Sequence, residues 1–252
     1  MCTVVILRRP GHAWPLLLAA NRDEMTARPA RPPGRHWPDR PDTVAGLDEL
    51  AGGSWMGLND AGVVACVLNR PGTLGPDEVL RSRGELVLEA LDHADAVEAA
   101  TALRDLDARA YRAFNLIVAD DRDAWWIKGE GPGGGGAVHI GEVPEGLSML
   151  TAYDLNDPMS PRTRLYLPRF RAAPAPDPDS GRWEGWSALL AAREHETGAG
   201  PQEAMSIVTP FGFETVSSSL LALPATGDET RRNQWLYANG QPGEAPFEAV
   251  ER

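Results

Sequence analysis

Cysteine, lysine and long apolar stretches are scarce in this chain of 252 residues, and each scarcity excludes a class of protein. Two cysteines cannot form the disulfide framework of a small secreted domain, so we expect a reducing, cytoplasmic location. Lys128 is the only lysine, and the formal net charge of −12 argues against partners such as nucleic acid or anionic membrane surfaces. No apolar run approaches the roughly 18 residues that suggest a membrane span. The first run is short and ends at Arg8 and Arg9, so no signal peptide is expected.

Motifs for metals, phosphates and serine nucleophiles are also missing. The five histidines lack paired metal-ligand spacing, and no Cys-x-x-Cys is present. A Ser-His-Asp triad has no Gly-x-Ser-x-Gly motif to support it. The glycine-rich stretch 131–136 lacks the Gly-Lys-Ser/Thr ending of a phosphate loop and indicates a hairpin connection. We therefore expect neither a metal nor a required cofactor.

The most informative stretch that is present is the first 24 residues. Two apolar runs, 2–7 and 16–20, flank a Pro-Gly turn signal at residues 9–12 and predict an antiparallel hairpin. Apolar residues occupy both the odd and the even positions of each run, so these strands should be buried on both faces. Arg8 should then pair near Pro15 or Leu16.

Counting back along that ladder places Cys2 beside Asn21 or Arg22. The thiol would lie next to an amide, a guanidinium and the carboxylates of Asp23 and Glu24. Buried polar groups are costly unless they interact with one another, so this grouping indicates a functional site.

The chemistry open to Cys2 depends on Met1. Methionine is normally removed before a small residue, and removal would leave Cys2 with a thiol and an α-amine. Their reference pKa values, about 8.5 and roughly 7.7–8.0, allow the amine to act as base for its own side chain. Alternatively, Cys2 is only a small hydrophobe in a strand. Its position beside Asn-Arg-Asp-Glu favours the nucleophile, whereas Cys66, in the middle of a buried strand, is expected to be core.

Three motifs carry a resemblance to a known family: residues 1–3 (Met-Cys-Thr), 20–24 (Ala-Asn-Arg-Asp-Glu) and 53–59 (Gly-Ser-Trp-Met-Gly-Leu-Asn). They resemble the NRDE family, whose best-known member is transport and Golgi organisation protein 2. The chain is similar, more distantly, to choloylglycine hydrolases and penicillin V acylases, which are N-terminal-nucleophile hydrolases.

The resemblance implies roles for individual residues. In these hydrolases a Met-Cys start supplies the nucleophile, which corresponds to Cys2. An Asn-x-Asp segment ends the second strand, which implies that Asp23 orients the amine or thiol. A later turn leads into a strand ending in an oxyanion-hole Asn, here Asn69. Candidate substrate-binding residues are Asn21, Arg22 and Trp55.

Two departures from the hydrolase pattern keep a second function open. A second oxyanion-region Asn would follow Leu150-Thr151, where Ala152 stands, and a late catalytic Arg is replaced within Ser217-Ser218-Ser219. The first hypothesis is a cysteine amidohydrolase that acts on a linear non-peptide amide through a Cys2 thioester. The alternative, which the NRDE resemblance implies, is a non-catalytic binding or trafficking protein for haem or a lipid or acyl-CoA ligand.

The order of predicted elements indicates the fold class. Strands, a helix pair, strands, helices and further strands arrive in blocks, which favours antiparallel sheets with helices outside them. We expect an α+β protein with a four-layer αββα sandwich and a single domain over residues 1–252, as the family resemblance also implies. The predicted elements include a long loop over 25–50, a strand pair at 52–58 and 62–69, helices at 76–91 and 95–106, strands at 114–119 and 124–127, a strand pair at 137–140 and 147–151, helices at 162–171 and 183–194, and strands at 206–208, 214–223, 234–238 and 246–250.

Overall fold

The computed structural model describes residues 2–75, 77 and 79–251. These residues form two compact units. The first contains residues 2–28 and 144–250, and the second contains residues 29–143. The chain therefore leaves the first unit once, builds the second and returns.

Thirteen strands and four α-helices are found in the described residues. The strands are β1 (Thr3–Arg8), β2 (Leu16–Met25), β3 (Ala30–Gly34), β4 (Thr43–Asp48), β5 (Met56–Asn59), β6 (Val64–Asn69), β7 (Phe114–Ala119), β8 (Ala124–Gly129), β9 (Val138–Glu142), β10 (Gly146–Leu150), β11 (Phe213–Leu223), β12 (Gln234–Ala238) and β13 (Glu248–Ala249). The helices are α1 (Gly84–Leu91), α2 (Ala96–Ala102), α3 (Pro161–Ala172) and α4 (Glu184–Leu190). The predicted α+β class is confirmed.

The first unit is built on a six-stranded antiparallel sheet in the order β10-β1-β2-β11-β12-β13. The predicted N-terminal hairpin is confirmed, because β1 pairs with β2 and Arg8 lies opposite Leu16. Thr3 lies opposite Asn21, so the same register places Cys2 opposite Arg22. Both strands are buried almost throughout, as their apolar residues on both parities predict.

Helices α3 and α4 cover one face of this sheet. Val5, Leu17 and Ala19 pack there with aromatic side chains of both helices. Phe170 and Trp186 meet edge to face, with ring centroids 5.7 Å apart, the geometry that aromatic rings favour. Side chains alternate along a strand, so Asn21 and Asp23 lie on this face, whereas Cys2 and Arg22 belong to the other face.

The second unit is built on a seven-stranded antiparallel sheet in the order β3-β4-β5-β6-β7-β8-β9. Helices α1 and α2 pack on it around Leu86, Val87, Ala99 and Leu116. Asp95 caps α2, because its carboxylate accepts a hydrogen bond from the main-chain N–H of Glu98 at 2.8 Å. Cys66 is buried in β6, as expected.

Several element predictions are wrong, for two physical reasons: proline in an edge strand and strands that pair in different sheets. Residues 25–50 are not a loop, since β2 continues to Met25 and β3 and β4 follow. β3 contains two prolines, which strands accept at a sheet edge, and β3 is an edge strand. Residues 137–142 and 146–150 do not pair with each other, because β9 joins β8 in the second unit and β10 joins β1 in the first.

Three helix predictions were too long and one strand prediction fails. Helix α2 ends at Ala102, short of the predicted residue 106. Helix α1 begins at Gly84 rather than at residue 76, and Arg81 instead makes a bridge with Tyr111. Pro76 itself lies outside the described residues. Helix α4 ends at Leu190, and residues 206–208 are not a strand.

Candidate functional site

The thiol of Cys2 lies against the main chain of Asp23. Its Sγ–H donates to the carbonyl oxygen of Asp23 over 3.7 Å, and the N–H of Asp23 donates to Sγ over 3.4 Å. The hairpin creates this contact, because its register brings the residue before β1 beside the end of β2. The predicted grouping of Cys2 with Asp23 is therefore present in the first unit.

Burial and charge determine the acidity of this thiol. The pKa of Cys2 is raised above its ordinary value of 9.0, first by burial and then by the negative charge of Asp23. The positive charge of Arg22 acts in the opposite direction. At neutral pH the thiol is consequently protonated, and nucleophilic attack would need a base to remove the proton.

The Asp23 carboxylate is buried and held by two side chains from distant parts of the chain. The hydroxyl of Thr215, on β11, donates to Oδ1 at 2.6 Å. The guanidinium of Arg162, on α3, donates to Oδ2 at 3.1 Å. Both members of the ion pair are excluded from solvent, with 1% and 0% of their side chains exposed. Removing one partner of such a pair typically costs about 3–5 kcal/mol, because the other charge stays buried.

Arg162 is the main residue that sequence reasoning missed. Its Nη1 also donates to the Thr3 hydroxyl at 2.6 Å, and its Nη2 donates to the carbonyl of Gln202 at 2.8 Å. The start of α3 fixes its place, because the hydroxyl of Ser160 caps the helix by accepting from the N–H of Thr163. The Ser-Pro pair before Arg162 signals a helix start, but nothing in the sequence signals the partner of its guanidinium.

Asn21 lies on the same face as Asp23 but has a structural role in this arrangement. Its Nδ2 donates to the carbonyls of Leu190 and Met205, both at 2.9 Å, and its Oδ1 accepts from the hydroxyl of Ser218 at 2.6 Å. Both amide hydrogens are therefore used within the protein. These hydrogen bonds join β2 to the segment around Met205, and the contact of Asn21 with substrate stays a prediction.

Arg22 is on the face that carries Cys2. It is buried and lies opposite Ser217 of β11. Burial raises the pKa of the nearby Tyr237. The hydrogen bond between Tyr237 and Ser217 and the positive charge of Arg22 both act to lower that pKa. One face of the first sheet therefore carries a thiol, a guanidinium and two hydroxyls, which belong to Cys2, Arg22, Ser217 and Tyr237.

Asn69 and Trp55 are found in the second unit. Asn69 is the last residue of β6, half-buried and opposite Phe114. Trp55 precedes β5 and is also half-buried, and its carbonyl accepts from the N–H of Val67 at 3.0 Å. Its indole fills the space over Gly46, where a Cβ would lie 2.2 Å from the ring. The oxyanion role of Asn69 and the substrate contact of Trp55 stay predictions.

The two departures from the hydrolase pattern have identifiable structural roles. Ala152 is buried, and the preceding Thr151 donates its hydroxyl to Ser160, the cap of α3, at 3.2 Å. In the serine triplet, Ser218 donates to Asn21, and Ser219 accepts from the indole N–H of Trp235 at 3.1 Å. These residues therefore contribute to packing around the site.

Two kinds of feature are absent from the described residues, a cluster of metal ligands and a membrane-spanning helix. Among residues 2–75, 77 and 79–251, no group of three or more His, Cys, Asp or Glu side chains is arranged to hold a metal ion. Within the same ranges, no helix has the length and apolar character required to cross a membrane.

Comparison with protein families gives a match over the N-terminal part of the chain. The family described as Transport and Golgi organisation 2 matches residues 1–158. The chain belongs to this family. Relatives include the Transport and Golgi organization protein 2 homologs of Bos taurus, 36% identical over 116 residues, and Homo sapiens, 35% identical over 116 residues. Each match covers 43% of this chain and 40% of the relative, so it spans less than half the length of these family members.

Solved structures give a match over almost the whole chain. Conjugated bile acid hydrolase from Clostridium perfringens, in a variant form, is 12% identical, with a TM-score of 0.59 over 99% of this chain and 92% of that chain. The Caenorhabditis elegans ortholog of N-acylethanolamine-hydrolyzing acid amidase is 12% identical, with a TM-score of 0.55 over 90% and 94%. Penicillin V acylase from Agrobacterium tumefaciens is 15% identical, with a TM-score of 0.52 over 94% and 83%. At these identities the likeness shows the fold, the sandwich of N-terminal-nucleophile hydrolases.

Proposed function

We propose that this family member is a cysteine amidohydrolase that cleaves a linear, non-peptide amide through a thioester on Cys2. The observation that carries the proposal is the contact between the Cys2 thiol and the main chain of Asp23, whose carboxylate is buried and fixed. The hairpin holds a thiol next to a residue whose carboxylate is fixed, an arrangement suited to an activated nucleophile.

The chemistry would begin with removal of Met1, which frees the α-amine of Cys2. The amine takes the thiol proton as sulfur attacks the amide carbon, and the tetrahedral intermediate collapses to a thioester. The proton passes to the departing amine as the carbon–nitrogen bond breaks. Water then hydrolyses the thioester, releasing the carboxylic acid and restoring the thiol. This route suits Cys2, because its raised pKa leaves the thiol protonated until a base acts on it.

Asp23 and Asn69 complete the proposed catalytic set. The Asp23 carboxylate would orient the α-amine, and the hydrogen bond from Thr215 fixes one of its oxygens. Asn69 would donate to the oxyanion of the intermediate, the role that the hydrolase resemblance implies. One such donor typically lowers the barrier by about 2.7–4 kcal/mol. Asn21, Arg22 and Trp55 remain the proposed substrate contacts.

The substrate class is proposed from the fold. The matched structures carry the names of a bile acid hydrolase, an acid amidase and an acylase, so an acylated amine is the class we propose here. We also propose a cytoplasmic location, from the low cysteine content.

Intact-mass spectrometry with a β-lactone, a thiol-directed acyl donor, tests the proposal. We expect the purified protein to lack Met1 and to gain one stoichiometric acyl adduct that maps to Cys2. Cys66→Ser is the matched control and should label fully, whereas Cys2→Ala should not label. Retained Met1, or an adduct that survives in Cys2→Ala, contradicts the mechanism because the base or the nucleophile would then be wrong.

A binding or trafficking function is the second candidate. Its support is the pair of departures from the hydrolase pattern, at Ala152 and at Ser217–Ser219, where polar groups used by the hydrolases are replaced. The ligand would be haem or a lipid or acyl-CoA. Titration of the unlabelled protein with haem and with acyl-CoA separates the two functions. Saturable binding together with absence of the β-lactone adduct would favour the carrier.

A further inference from the structure

One nitrogen of Arg162 connects the two sides of the candidate site. Nη1 donates to the hydroxyl of Thr3 at 2.6 Å and to Oδ2 of Asp23 at 3.1 Å. Thr3 follows the proposed nucleophile in the chain, and Asp23 holds the thiol through its main chain. The guanidinium therefore bridges the first residue of β1 and the end of β2 at the point where Cys2 is placed.

The second terminal nitrogen of the guanidinium is anchored as well. Nη2 donates to the carbonyl of Gln202 at 2.8 Å, and 1% of the side chain is exposed. The other oxygen of Asp23 is fixed by Thr215, whose hydroxyl also accepts from the N–H of Ile207 at 2.8 Å. Arginine suits this position because its planar fork donates in several fixed directions at once, which a lysine ammonium cannot do.

We propose that Arg162 is a positioning residue that sets Cys2 against Asp23 and keeps the carboxylate in place for the α-amine. The proposal rests on the proposed hydrolase function. Neither the Cys2 motif nor Ser217–Ser219 supplies a group that positions Cys2 and Asp23 in this way. Arg162 does not touch the reacting atoms. It acts through Thr3 and Asp23, so its loss should reduce the rate of the chemical step more than the affinity for the acyl donor.

The test uses Arg162→Gln and Arg162→Lys, with Arg164→Gln as the matched control. Arg164 lies on the same helix but is exposed and pairs with Glu196. Three measurements are made on each full-length protein. They are the limiting rate and half-saturating concentration of β-lactone acylation, the pH profile of Cys2 alkylation by iodoacetamide, and the thermal midpoint.

We expect the limiting rate in Arg162→Gln to fall on the order of 10–100-fold, the loss that misplacing reacting groups by about 1 Å can cause. The half-saturating concentration should change little. Loss of the compensating charge should shift the alkylation profile to higher pH, since Asp23 then opposes thiolate formation more strongly. Arg162→Lys should recover part of the rate, and Arg164→Gln should match the unaltered protein.

A folded Arg162→Gln protein with the unaltered rate and alkylation profile would overturn the proposal. If Arg162→Gln does not fold, Thr3→Val decides, because it removes one bridged hydroxyl while keeping the side-chain shape. An unchanged limiting rate in Thr3→Val would then overturn it. If the unaltered protein gives no acyl adduct at all, the hydrolase function fails, but the alkylation profiles still report whether Arg162 positions the thiol.

Discussion

At the residue scale, the half-buried Cys2 thiol should make the stability of the protein sensitive to alkaline pH. Its pKa is raised above 9.0 in the folded chain, so the folded state holds this proton more strongly than the unfolded state does. The stabilisation is complete below pH 9 and is lost as the pH rises through the folded value. We therefore expect Cys2→Ser to show a shallower loss of unfolding free energy as the pH rises above 9. Urea unfolding at a series of pH values above 9 measures this free energy. The same pH dependence in both proteins would contradict a raised pKa at Cys2.

The sequence predicts the local half of the site. The pairing of Cys2 with the Asn21–Asp23 segment follows from counting along one hairpin, whose register its turn and apolar runs specify. Thr215 and Arg162 could not be found in this way. They lie 192 and 139 residues from Asp23 in sequence, and only tertiary packing brings them to it.

At the element scale, the start of α3 should control the reactivity of Cys2. Ser160 caps this helix and accepts hydrogen bonds from the Thr163 N–H and the Thr151 hydroxyl. Ser160→Ala should cost about 0.5–2 kcal/mol of stability, the usual loss for an N-cap. The freed first turn should also loosen Arg162 and slow acylation of Cys2. Chemical unfolding and β-lactone kinetics measure the two effects.

Asp95→Ala is the control for that variant, because it removes the corresponding cap from α2 in the second unit. It should lower stability by a similar amount and leave the Cys2 acylation rate unchanged. If both cap variants slow acylation equally, the effect reflects general loosening of the fold and not the placement of Arg162.

Element predictions succeeded where apolar periodicity was strong and failed where proline or a change of partner intervened. Strands β7 and β8 follow from their apolar runs and the Asp-rich turn between them. β3 was hidden by its prolines, which an edge strand accepts. β9 and β10 looked like a hairpin because they are close in sequence, but residues 143–145 lead the chain from one sheet to the other.

At the scale of the whole molecule, the chain path should make the two units unfold together. The second unit is inserted between two segments that the first unit needs, since β2 pairs with β11 across the insertion. If the second unit unfolded alone, closing that pairing over a long disordered loop would cost entropy. We therefore expect one cooperative transition, and the single domain over residues 1–252 stays a prediction.

Matched leucine truncations in the two cores test this coupling. Leu190 is buried in the first unit and Leu116 in the second, each with 0% of its surface exposed. Replacing either with alanine should cost about 2–5 kcal/mol, since it leaves a cavity in a packed core. With one cooperative transition, each variant lowers the single calorimetric midpoint of the whole protein, and Cys2 becomes accessible to iodoacetamide at that same midpoint. Two separate transitions would contradict the expectation. In that case Leu116→Ala would lower only the midpoint of the second unit's transition, and Cys2 would stay protected from iodoacetamide through that transition. The first unit would then keep its Cys2 site without help from the second.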